Sequence, residues 1–231
     1  MSGILYGVGV GPGDPELITY KAVKIIENAA VIAVPGNGES ERTALSIARS
    51  YVGKKPVLEL KLPMTRDREV LQASHFEAAQ TLIEYLEQEK DVAFLTLGDP
   101  SIYSTFIYIH RIVEKRGLKA RFVPGVPSFC AAAACLNQPL CEGEQPLHII
   151  PASYEGALEG MQWPGTKILM KSGKKLKLIK KYLQESGQSK HGAMVERCGM
   201  EGERIFSDLD SADDQAGYFS LLVVKEGDSE A

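Results

Sequence analysis

The sequence predicts an α/β protein built as two α/β domains, residues 1–123 and 124–231. Three observations lead there. Short apolar runs alternate with stretches of helical spacing as far as Val123. Pro124-Gly125-Val126-Pro127-Ser128 then halts the alternation, because two prolines and a glycine within five residues oppose both strand and helix. Past this break a new set of strand-like runs begins, with a helix between two of them.

In order, residues 5–10 read as a strand that enters the glycine-rich turn Gly7-Val8-Gly9-Val10-Gly11-Pro12-Gly13-Asp14-Pro15, and residues 16–28 as a helix. Residues 30–34 are a strand stopped by Pro35-Gly36-Asn37-Gly38, residues 41–51 a helix, and residues 56–60 a third strand. A polar connector leads into a long helix over 68–88, with Val70, Leu71, Phe76, Ala79, Leu82, Ile83 and Leu86 at helical spacing. Residues 91–97 are apolar on both faces, as a buried central strand must be. Residues 101–116 carry Ile102, Phe106, Ile109 and Val113 on one side and read as the next helix, and residues 118–123 as the fifth strand. In the second domain residues 129–136 form a small-residue helix, and 147–151, 167–171, 193–197 and 218–224 are strands. Residues 204–206 add a short strand, residues 175–185 are helical, and the polar tail 225–231 is expected to fray.

Composition excludes several classes. A hydrophobic share of 44% with 24% charged residues is that of a soluble globular chain. No apolar run reaches the roughly 18 residues of a membrane span. The start, Met1-Ser2-Gly3-Ile4-Leu5-Tyr6, lacks the basic region of a signal peptide. Cys130, Cys135, Cys141 and Cys198 form no CxxC pair, so the expectation is a cytoplasmic protein with reduced thiols and no bound metal. The net charge of −4 argues against a nucleic-acid surface.

The densest chemical signal is Leu97-Gly98-Asp99-Pro100-Ser101-Ile102-Tyr103-Ser104-Thr105, at the carboxyl end of the central strand. Ligands of open α/β sheets bind at that end. Asp99 reads either as a helix cap or as a ligand contact. The first turn fails the dinucleotide pattern GxGxxG, since counting from Gly7 puts Pro12 at the third glycine and counting from Gly9 puts Asp14 there. It also carries acid where a phosphate cradle wants basic or hydroxyl groups. Ser172-Gly173-Lys174-Lys175 fails as a phosphate loop, with Ile168 at the first glycine position. The lysines from Lys171 to Lys181 read chiefly as a solvated face, with Lys171 and Lys174 also able to meet an anion. The four histidines are scattered, and Glu196-Arg197 is open to reading as an ion pair in a turn.

In order and spacing, four segments resemble the tetrapyrrole methylase family of S-adenosylmethionine-dependent methyltransferases. They are the turn from Gly7 to Asp14 and on to Thr19, Gly98-Asp99-Pro100, Pro124-Gly125-Val126-Pro127-Ser128, and the late strand ending at Glu196-Arg197. The resemblance covers nearly the whole chain. Leu97 to Phe106, with Leu169-Met170-Lys171-Ser172, is similar to the branch that methylates C20 of precorrin-2 or cobalt-factor II. The resemblance implies two α/β domains with the cofactor in the cleft between them, and a homodimer. It implies S-adenosylmethionine contacts from Pro12, Leu97, Gly98, Asp99, Ile102, Tyr103, Ser128, Phe129, Met170, Glu196 and Arg197. Pro127 stands where the family has Ser or Thr, and Ser128 is the candidate replacement. The macrocycle's carboxylates call for cations, and Arg66, Arg68, Lys171 and Lys174 are the candidates. No catalytic base is assigned. Three other functions stay open: a sister methylase acting at another ring position or on uroporphyrinogen, a nicotinamide-dependent oxidoreductase, and a non-catalytic binding protein on this fold.

Overall fold

The structure is a computed structural model describing residues 2–36, 39–63, 65, 67–154, 156–213 and 217–226, with 39–42 and 174 described in backbone alone. Two five-stranded sheets organise it, one in each of two compact units that divide between Pro127 and Ser128.

The first sheet contains β1 (Ile4–Gly9), β2 (Val31–Pro35), β3 (Val57–Leu60), β4 (Val92–Thr96) and β5 (Lys119–Val123). All pairings are parallel and the order is β3-β2-β4-β1-β5, so β4 is the central strand. Its apolar run follows from this place. Val92 and Phe94 join Leu5, Leu82, Leu86, Phe106 and Ile109 on one face, while Ala93 and Leu95 join Val8, Ile26, Ile32 and Val34 on the other. Helices α4 (Arg68–Glu87) and α5 (Phe106–Lys115) cover the first face. Helices α1 (Tyr20–Asn28), α2 (Glu39–Ile47) and α3 (Arg49–Val52) cover the second. A parallel sheet buried on both faces needs such two-sided strands.

Three helices differ from the expected ones. The segment 16–28 divides into a 3-10 turn, Pro15–Leu17, and α1, because Thr19 takes an extended backbone and its hydroxyl caps the Ala22 N–H at 3.2 Å. The segment 41–51 breaks at Ala48, separating α2 from α3. Most consequentially, α5 begins at Phe106 rather than Ser101. Tyr103 has a left-handed φ of 49°, which interrupts any helix, and the Ser104 hydroxyl accepts the Phe106 N–H at 3.2 Å.

The second unit runs α6 (Ser128–Leu136), β6 (Leu147–Pro151), α7 (Ala157–Gly160), β7 (Thr166–Met170), α8 (Leu176–Glu185), β8 (Gly192–Glu196), β9 (Arg204–Phe206) and β10 (Ser220–Val224). The order is β6-β7-β10-β8-β9, with β6 and β7 parallel and the other pairs antiparallel. The four-residue helix α7 is too short to show periodicity in the sequence. Leu176, Ile179 and Leu183 of α8 enter a core with Ile150, Leu169, Met194 and Leu222. On the opposite side of α8, Lys177 and Lys181 are exposed, and Lys180 donates to the Ala212 carbonyl at 2.6 Å. Among the described residues no helix is long and apolar enough to cross a membrane.

Candidate functional site

In the first unit the chain leaves neighbouring strands β1 and β4 in opposite directions, toward β2 and toward β5. Such a reversal opens a ligand crevice at the carboxyl ends of the strands. Here the loops that follow are stitched together by backbone. The Val10 N–H donates to the Thr96 carbonyl at 3.0 Å, Gly98 N–H to Gly11 O at 2.8 Å, and Gly11 N–H to Gly98 O at 3.3 Å. The loop after β5 joins them through glycine contacts. A Cβ on Gly125 would stand 2.2 Å from the Gly98 carbonyl oxygen, and one on Gly9 would stand 2.6 Å from the Gly125 nitrogen. Thr19 at the head of α1 donates to the Pro124 carbonyl at 3.2 Å.

Asp99 fastens the same junction. Its Oδ2 accepts the Gly125 N–H at 3.0 Å, and its Oδ1 accepts the Ser101 N–H at 2.8 Å and the Ser101 hydroxyl. Asp99 therefore caps its own turn and brackets the loop after β5. Pro12 and Gly98 are buried, Leu97, Asp99 and Ile102 are partly buried, and Tyr103 is exposed. Desolvation raises the Tyr103 phenol above its ordinary pKa. Behind β4, Thr96 and Ser104 share a hydroxyl contact of 3.1 Å. Arg68 is exposed at the first position of α4, beside the cap Asp67, whose carboxylate accepts the N–H groups of Glu69 and Val70. Arg66 lies outside the described residues.

In the second unit the ends of β7 and β8 flank the start of β10. Met170 stands opposite Leu221, and Glu196 opposite Ser220. The residue after each strand has a left-handed backbone, Lys171 with φ 57° and Arg197 with φ 54°. Among the described residues five non-glycine positions have positive φ, and Tyr103, Lys171 and Arg197 are three of them. Strained backbone of this kind concentrates at ligand sites. Buried Ser172 and Ser220 bring their hydroxyls to 3.3 Å beside Lys171. The Glu196 carboxylate is 5% exposed and paired throughout: Oε2 accepts two N–H groups of Arg204, and Oε1 accepts the Gly217 N–H at 2.6 Å. Arg204 also reaches Asp213 at 2.6 Å. The turn ion pair at Glu196 is thus made with Arg204, whereas Arg197 donates through Nε to the Glu201 carbonyl at 2.8 Å. Ser128 opens α6 partly buried, Phe129 beside it is buried, and Lys174, itself described in backbone alone, lies in a 3-10 turn, Gly173–Lys175.

The donor set fits a cationic, phosphate-free ligand. The loops after β1, β4 and β5 contain Asp14, Glu16 and Asp99 and no lysine or arginine, so they suit a sulfonium and an ammonium group. Sequence reasoning missed Gly9, Gly125 and Ser104 as builders of the junction. A glycine at or just past a parallel strand's carboxyl end was the available signal for the first two.

A family model described as Tetrapyrrole (Corrin/Porphyrin) Methylases matches residues 4–213. A probable cobalt-precorrin-2 C(20)-methyltransferase of Methanocaldococcus jannaschii is 34% identical, over 96% of this chain and 95% of that protein. A precorrin-2 C(20)-methyltransferase of Sinorhizobium sp is 30% identical, over 97% of each. The crystal structure of uroporphyrin-III C-methyl transferase from Thermus thermophilus, complexed with S-adenyl homocysteine, has a TM-score of 0.72 at 20% identity, covering 97% of this chain and 98% of that one.

Proposed function

The chain belongs to the tetrapyrrole methylase family, and we propose that it transfers a methyl group from S-adenosylmethionine to C20 of precorrin-2 or its cobalt-containing counterpart in cobalamin biosynthesis. One observation carries this reading: relatives aligned over nearly the whole chain bear that name.

When bound, S-adenosylmethionine supplies a methyl group already activated on a sulfonium, open to in-line displacement by an electron-rich carbon of the macrocycle. The chain's task is to position two partners, and the transfer itself calls on no protein-bound metal and no strong base. In this proposal backbone groups of Leu97, Ile102 and Tyr103 hold the donor in the first unit, beside Pro12 and Gly98, whose own N–H and carbonyl are bonded to Gly11 and fix the turn. Asp99 keeps that turn in shape through Gly125 and Ser101 and adds negative potential. Ser128, Phe129, Met170, Glu196 and Arg197 are the proposed contacts of the second unit, with Glu196 acting through the strand end that it stiffens. Arg66, Arg68, Lys171 and Lys174 are the proposed partners of the macrocycle's carboxylates. The protein is proposed to work in the cytoplasm as a homodimer. Exposed Val70, Phe76, Tyr108 and Phe122, on α4, α5 and β5, support self-association.

Turnover with precorrin-2 and cobalt-factor II in parallel tests the reading, beside titrations with S-adenosylhomocysteine and NADH. The expected result is methylation of at least one macrocycle and binding of S-adenosylhomocysteine alone. Binding of NADH with neither macrocycle methylated would point to an oxidoreductase.

A further inference from the structure

Cys135 near the end of α6 and Cys198 just past β8 lie 63 residues apart, yet their sulfurs are 3.3 Å from each other. Glu203 completes a group of three. Its Oε2 is 3.6 Å from the Cys135 sulfur, and one ligand atom from each residue lies within 4.8 Å of the others. The intervening turn holds the carboxylate in place. Gly199 N–H donates to Glu203 Oε2 at 2.6 Å, Glu203 N–H donates to the Met200 carbonyl at 3.1 Å, and Met200 N–H donates to the Arg197 carbonyl at 2.8 Å. Both cysteines are partly exposed and Glu203 is exposed, so an ion has access from solvent.

We propose that Cys135, Cys198 and Glu203 form a binding site for a thiophilic divalent cation such as zinc, pinning α6 to the turn that follows β8. Distances decide between this and a disulfide. Around one tetrahedral zinc, with Zn–S of about 2.3 Å and Zn–O of about 2.1 Å, two thiolates stand about 3.8 Å apart and a thiolate and carboxylate oxygen about 3.6 Å apart. The observed 3.3 Å and 3.6 Å lie within half an ångström of that arrangement. A disulfide needs the sulfurs at about 2.05 Å and makes no use of an anchored carboxylate. Two thiolates favour zinc over the hard cations magnesium and calcium. Binding releases both thiol protons to solvent and leaves two thiolates and one carboxylate on the ion, with a water in the fourth position. The absence of a CxxC pair concealed this group, because the fold supplies the proximity that sequence spacing does not.

The test uses reduced full-length protein stripped with a chelator, titrated with zinc in competition with a chromophoric chelator, and separately with cobalt(II). The expected result is one zinc per chain, thiolate-to-cobalt charge-transfer absorption, and zinc protection of Cys135 and Cys198 but not of Cys130 and Cys141 against alkylation. Cys135→Ser and Cys198→Ser should abolish uptake, Glu203→Gln should weaken it, and Cys130→Ser should leave it unchanged, with circular dichroism checking each fold. Absence of zinc uptake by the reduced wild type overturns the proposal, whether or not the two thiols form a disulfide in air. Undiminished uptake in the Cys135→Ser/Cys198→Ser double variant overturns it as well.

Discussion

A methyl group added at Gly125 would meet the Gly98 carbonyl oxygen at 2.2 Å and the Gly9 backbone at 2.7 Å. Neither neighbour is a flexible side chain, so the loops must separate. Gly125→Ala is therefore expected to destabilise the first unit by about 1–3 kcal/mol, the range for overpacking, read as a lower urea midpoint with unchanged slope. Asp99→Asn makes a complementary test. An amide has one acceptor oxygen where the carboxylate has two, so either the Gly125 N–H or the Ser101 groups lose their partner. The expected cost is about 1–3 kcal/mol, with weaker binding of S-adenosylhomocysteine by calorimetry. Unchanged stability and affinity would show that Asp99 brackets nothing. His75 contributes a pH dependence below neutrality. It is 8% exposed and stacked on Tyr108 at 4.7 Å, and desolvation lowers its pKa. The unfolded chain then binds the proton more readily, so stability should fall as pH drops below about 6.5 toward the lower folded value. The melting temperature of His75→Phe should decline less over that window than that of the wild type. At this scale the sequence marked the Gly98 turn by its place at the carboxyl end of the central strand. It could not show that backbone from Gly9, Gly11 and Gly125 packs against that turn, because nothing local records which loops converge.

At the level of elements, the apolar pattern located nearly every strand and helix, since strands buried on both faces select short continuous apolar runs and helices select apolar residues at a period of 3.6. Boundaries were less legible. Residues 101–116 have helical spacing throughout, yet α5 starts at Phe106, because left-handed Tyr103 and the Ser104 hydroxyl that accepts the Phe106 N–H override the pattern. The turn that this delay creates is the stretch proposed to hold the cofactor. The end of β8 shows the same limit: Glu196-Arg197 suggested a local ion pair, whereas the partner of Glu196 is Arg204 on β9. Arg204→Met should lower the melting temperature by leaving a buried carboxylate without its cation. Adding Glu196→Gln to that variant should recover part of the loss. A double variant less stable than Arg204→Met would show that Glu196 is held chiefly by the Gly217 N–H.

For the whole molecule, the alternation before Pro124 and the new strand set after it made two α/β units legible, and the family match spans both. The four segments behind the resemblance all fall at carboxyl ends of strands or just past them: after β1, β4 and β5, and at the end of β8. Within the first unit, the neighbourhood of the three loops after β1, β4 and β5 follows from the strand order, which no single segment reveals. The central claim is methylation at C20, and its most direct measurement is carbon-13 NMR of the product formed from a carbon-13-labelled methyl donor and precorrin-2 or cobalt-factor II. The account predicts one labelled methyl group, on C20; a label on any other ring carbon would contradict it.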